Sequence, residues 1–198
     1  MFIGKILRVA RYWLTLGFLV VLPAGPAAQE SSGQQGPREQ YYAVAQATSG
    51  AASGASRQVT FYIDGYTSDT DTHNFAVILK KDGPAALVKA MNQVDVGRVA
   101  PTGRTGTVVS MIRSRPFPDG RRRVMMVTNR TIAFFESYNA TRTKDYPFGV
   151  VELLLNKDGK GTGSLIVAAK IKFTKSDSIE IENYGIDPIR LVNVQREK

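Results

Sequence analysis

The chain has 198 residues, no cysteine and one histidine, and carries a formal net charge of +9. The missing cysteines exclude a disulfide framework, a lipobox-type lipid anchor and any Cys/His nucleophile, and a Ser/His/Asp arrangement would have to be built on His73 alone. The length suits one domain whose core is held by packing.

Residues 1–28 have the layout of a secretory signal. Lys5, Arg8 and Arg11 form a basic lead, residues 12–22 an apolar run, and residues 23–28 a tail of proline and small residues. The apolar run falls well short of the roughly 20 residues a membrane-spanning helix needs. Cleavage is expected after Ala27 or Ala28, and the remainder is expected to be exported to a bacterial periplasm or beyond, with no transmembrane span after cleavage. Residues 29–57, rich in Ser, Gly, Gln and Ala, read as a flexible leader or arm around Tyr41 and Tyr42. Residues 58–198 then read as a single β-rich domain.

Within that domain, strands are expected at 59–66, 74–80, 107–113, 122–128, 132–136, 148–155, 164–173, 178–183 and 189–195. Asp69, Asp71 and His73, with Asp64 nearby, fall in a Thr/Ser-rich loop between the first two. Their spacing resembles the start of a calcium loop, but the glycine and distal glutamate are missing, so a solvated turn is expected and no metal. Asp82 and Gly83 are expected to cap a short amphipathic helix, with Pro84 at its first position and Leu87, Val88 and Met91 on one face. Residues 98–107 read as a loop, because Pro101, Gly103 and Gly106 punctuate them. Asn156 to Gly161 supplies turn chemistry for a hairpin. In the C-terminal third, Leu165, Val167, Ala169, Ile171 and Phe173 alternate with more polar residues. One register sets Phe173 opposite Ile179 and Ile171 opposite Ile181 on a buried face, with Lys172 opposite Glu180 and Lys170 opposite Glu182 outside. The expected architecture is mainly β, an antiparallel β-sandwich or open barrel with one short amphipathic helix.

Charge supplies the functional lead. Without the three basic residues of the leader, 23 Lys and Arg stand against 17 Asp and Glu. The excess is local, since residues 98–144 hold ten basic side chains against Asp119 and Glu136. Arg113, Arg115, Arg121, Arg122 and Arg123 flank the turn at residues 116–120 of an expected hairpin, and planar guanidinium groups match phosphate or carboxylate two bonds at a time. These five form the candidate anion-binding site, its partner an anionic envelope component or another envelope protein. Phe117, Phe134, Phe135, Tyr138, Tyr146 and Phe148 lie at strand spacing that suits a core better than a stacking platform, so no nucleic acid is expected. Glu136, Glu152 or the Asp69 loop would supply the carboxylates of a small hydrolase; no catalytic residue is assigned and no cofactor is expected. A lipid carrier with an apolar barrel interior is the other alternative. Asn129 with Thr131 and Asn139 with Thr141 match a glycosylation acceptor pattern that carries no meaning in a bacterial host.

The stretch from Phe134 to Phe148, ending Asp145, Tyr146, Pro147, Phe148, together with Glu182, Asn183, Tyr184, Gly185 and the closing Leu191 to Val194, resembles a family of exported bacterial proteins with no assigned activity. The resemblance spans about residues 79–196 and implies a β-rich exported domain of bacterial origin. It brings no site residue with it.

Overall fold

A computed structural model of the protein describes residues 38–49, 53–103, 105–132, 145–173, 179–183 and 187–197. The signal and its cleavage site, Glu136, Asn139, and the turn around Ser176 lie outside these residues. Ten strands and one helix follow in the order β1 (Glu39–Gln46), β2 (Ser56–Ile63), α1 (Asp69–Met91), β3 (Gly97–Pro101), β4 (Thr107–Val109), β5 (Met111–Pro116), β6 (Arg122–Thr128), β7 (Phe148–Leu155), β8 (Lys160–Phe173), β9 (Ile179–Asn183) and β10 (Ile189–Arg196). All pairings are antiparallel, in the spatial order β4-β3-β2-β1-β10-β8-β7-β6-β5, with β9 added to β8.

The two ends of this order, β4 and β5, are separated in sequence only by Ser110. The Ser110 amide donates to Val127 O on β6 at 3.0 Å, while on the other side the Val96 amide donates to Val109 O at 3.0 Å. One bent stretch of chain thus serves both margins of the sheet, which curls into a nearly closed barrel. Of the two architectures expected, the chain adopts the barrel. Glycines permit the tight curvature: a Cβ on Gly161 would lie 1.9 Å from Leu154 O, and one on Gly163 2.2 Å from Glu152 O.

Alternation decides what fills the barrel. Tyr41, Ala43 and Ala45 of β1, Val59, Phe61 and Ile63 of β2, and Val151, Leu153 and Leu155 of β7 belong to one contiguous buried cluster inside it. Fully burying a Leu, Ile or Phe contributes roughly 1.5–3 kcal/mol each, so this cluster dominates the favourable side of folding. A second cluster lies outside the barrel, where Leu79, Leu87 and Met91 of α1 cover Val127, Phe148, Val150, Ala169 and Ile171.

A bulge separates the two clusters along β8. Phe148 pairs with Ala169 but Val150 with Ile166, so three residues of β8 oppose two of β7 and the side-chain phase reverses. Leu165 and Val167 therefore point into the barrel, while Ala169, Ile171 and Phe173 join the cluster under the helix. The single buried face read from their alternation is two faces. Beyond the bulge the expected register of β8 and β9 holds pair for pair, Phe173 with Ile179, Lys172 with Glu180, Ile171 with Ile181 and Lys170 with Glu182. Ile179, however, is 56% exposed, and it is Lys172 that reaches both Glu182 (3.0 Å) and Glu180 (3.7 Å).

Three further expectations need correcting. Residues 39–46, assigned to the flexible arm, form β1, which lies between β2 and β10 and turns Tyr41 wholly inward. Residues 98–101, taken into a loop, belong to β3, whose proline sits at the strand's last position. Residues 74–80, taken as a strand, are helical. Ser68 caps α1 by accepting the Asp71 amide at 3.0 Å, and Asp69 and Asp71 in the first turn complement the helix dipole. Gly83, at φ 84°, interrupts the helix, and Pro84 opens its second part as expected.

Candidate functional site

The β5–β6 ladder splits the five arginines between the two surfaces of the barrel wall. Arg115 pairs with Arg123 and Pro116 with Arg122, and Val124 and Met126 are core residues. Arg122 therefore shares the inward phase, whereas Arg113, Arg115 and Arg123 share the outward one and Arg121 stands at the turn. The sequence placed all five together; the pleat separates Arg122 from the rest.

Carboxylates answer four of the five. Arg113 donates to Thr67 O at 2.7 Å and pairs with Asp69. Arg121 is 2.7 Å from Asp119, and Arg123 is 2.7 Å from Glu152. Arg122 pairs with Glu39. Arg115 is exposed and makes no side-chain hydrogen bond or ion pair among the described residues. Phe117 lies beneath this group, its ring centroid 5.7 Å from the guanidinium carbon of Arg121 and 5.5 Å from that of Arg123.

Arg122 belongs to a polar assembly inside the barrel end that sequence reasoning missed. The Glu39 side chain is 6% exposed and that of Arg122 28%. The hydroxyls of Tyr41 and Tyr66 both donate to the Glu39 carboxylate, Tyr66 at 2.7 Å, and Arg122 donates to Tyr66 at 3.1 Å as well as to Tyr41. Burial alone would raise the Glu39 pKa, but the hydrogen bonds from Arg122, Tyr41 and Tyr66 outweigh it and hold the carboxyl below its ordinary value. Burial and the bond to Glu39 push the Tyr41 hydroxyl up to about 12 and raise Tyr66 in the same sense. Every strong polar group here is answered, which closes this end of the barrel with a neutral set of bonds. The phase of β1 was the available signal: Glu39 stands two residues before Tyr41 and four before Ala43 on one side of the strand.

The other candidates separate. Asp69, Asp71 and His73 lie in the first turns of α1 rather than in a cation-binding loop; Asp71 accepts from the Ser68 hydroxyl at 2.7 Å and Asp69 pairs with Arg113. Among the described residues no group of three or more His, Asp or Glu could hold a metal ion. Glu152 is committed to Arg123 on the outer surface. The turn after β7 is built as expected, with the Asn156 side chain accepting the amides of Asp158 (3.0 Å) and Lys160 (2.9 Å). No helix among the described residues is long and apolar enough to cross a membrane.

At the rim of the barrel, where β1 begins and β2 and β10 end, lies an open cleft of about 1020 Å³. Gln40 and Tyr62, partners on the outward face of β1 and β2, contribute to its floor with Gln195 of β10. Arg38 and Asp64, 3.5 Å apart, stand on one side and the Asp158 to Lys160 turn on the other. Compared with known proteins, the chain matches no family model, no curated protein and no solved structure.

Proposed function

We propose that the protein is an exported, non-enzymatic binding protein of a bacterial envelope that contacts an anionic ligand or partner through the outward face of the β5–β6 hairpin. The observation carrying this reading is Arg115, exposed, without a carboxylate among the described residues, and directly across the ladder from Arg123. Arg121 and Arg123 are held by carboxylates that are themselves solvent-accessible, and such surface pairs contribute only about 0–1 kcal/mol. An incoming phosphate or carboxylate can therefore take over their donors at little cost. Phe117 holds the two guanidinium planes at the hairpin, so fewer rotamers are lost on binding. Arg122 takes no part, being occupied inside the barrel.

The test is sedimentation with vesicles containing phosphatidylglycerol, comparing the protein with Arg115→Gln and Arg123→Gln. Each basic residue near an anionic surface contributes about 1 kcal/mol, so each replacement is expected to weaken binding about fivefold, and added salt to weaken it further. Absence of vesicle binding by the unaltered protein, or binding that both replacements leave unchanged, refutes the proposal.

A further inference from the structure

We infer that the cleft over β1, β2 and β10 is a second, independent binding site, for a neutral oligosaccharide. Charge argues first. The cleft is lined by Arg38, Lys160 and Arg196 on one side of the balance and by Asp64, Asp158 and Glu197 on the other; Glu39, which also borders it, spends its charge on Arg122 inside the barrel. Three cations and three anions leave no net field to attract a strongly charged ligand, unlike the β5–β6 hairpin. What the cleft does offer is a dense mixture of donors and acceptors.

The arrangement of that mixture fits a chain of hydroxyl groups. One rung of the sheet sets Gln195 of β10 beside Lys160 of β8, and another sets Tyr62 beside Gln40. Amides such as Gln40 and Gln195 donate and accept at once, as a sugar hydroxyl does, so each neighbouring pair of hydroxyls can be met from both senses. Tyr42 fixes the rim by donating to Glu197 at 2.8 Å. Tyr62 adds a half-exposed aromatic ring, an apolar face with a polar tip that suits the C–H face of a pyranose. The volume lies at the upper end of the roughly 300–1,000 Å³ typical of ligand pockets, enough for several sugar rings lying across the strand ends.

Titration of the full chain with maltohexaose, cellohexaose and chitohexaose, followed by calorimetry, tests the inference, with hexagalacturonate as the charged counterpart. At least one neutral hexasaccharide is expected to saturate below about 10 mM, with affinity changing less than about twofold on raising salt. Tyr62→Ala and, on the solvent face, Gln195→Ala are each expected to weaken it about tenfold with unchanged circular dichroism, while Arg115→Gln leaves it unaltered. No saturation by any neutral sugar, tighter and salt-sensitive binding of hexagalacturonate, or affinity that survives both cleft replacements would overturn it. Vesicle binding and sugar binding are read separately, so failure of one leaves the other standing.

Discussion

Replacing Arg122 with methionine tests whether the polar assembly at the barrel end is held by its charge pair. The methionine keeps much of the apolar stem but strands Glu39, whose side chain is only 6% exposed, without its cation. Removing one member of a buried pair costs about 3–5 kcal/mol, and the two tyrosine hydroxyls that remain on the carboxylate favour the lower part of that range. The opposite change, Glu39→Gln, leaves a guanidinium that is 28% exposed and can reach water, so it is expected to cost less, about 1.5–3 kcal/mol. The two losses also differ in their pH dependence. In the unaltered protein the folded-state pKa of Glu39 lies below its ordinary value of 4.5, so its stabilisation is present above that value and fades as pH falls through the lower folded one. Arg122→Met removes the largest influence that opposes burial, so the folded-state pKa of Glu39 moves up from its lowered position and the stabilisation present in the unaltered protein at neutral pH is lost. The stability gap between the two proteins should be widest at neutral pH and should narrow as pH falls through 4.5 towards the lower folded-state value of Glu39. Urea unfolding followed by circular dichroism at pH 7 and pH 4 measures it. A gap under about 1 kcal/mol at neutral pH, or one that fails to narrow on acidification, would refute the reasoning.

Other perturbations probe the barrel itself. Gly163→Ala places a methyl 2.2 Å from Glu152 O and should lower stability by about 1–3 kcal/mol in the same unfolding assay; an unchanged midpoint would show that the wall can yield there. Ser110 is completely buried and its hydroxyl finds no partner among the described residues, so Ser110→Ala is expected to be neutral or stabilising by up to about 1 kcal/mol, and a clear loss would contradict this. Gly83→Ala meets open space but must hold φ 84°, so a loss of about 1 kcal/mol is expected from backbone strain alone. In thermal unfolding that change should appear as a drop of a few degrees.

Much of the β architecture was readable because alternation and turn chemistry act locally. The β8–β9 register could be read pair for pair, since two faces constrain one offset, and the Asn156 turn could be read from its own side chains. Less local features were hidden. β1 adjoins an Ala/Ser/Gly-rich stretch that looks like a linker by composition, yet its alanines are what a barrel interior admits beside Phe61 and Tyr41. Val77 and Ile78 favour a strand by propensity, but the Ser68 cap and the apolar cover over Phe148 and Ala169 select a helix. The bulge in β8 leaves no mark in the residues it displaces. Arginine content pointed to the β5–β6 hairpin, but partners as distant as Glu39 and Glu152 are brought by topology, so which arginine remains unanswered could not be read from the sequence.

The pairing of β1 with β10 joins residues about 150 positions apart, Tyr41 beside Arg196. Until the last ten or so residues are available, β1 has a free margin and Gln40 lacks the amide of Glu197 that its carbonyl accepts. A chain made from its N-terminus therefore cannot complete β1 until β10 has been made. Such long-range closure slows folding, so the same contact that joins β1 to β10 also sets the earliest moment at which the barrel can exist.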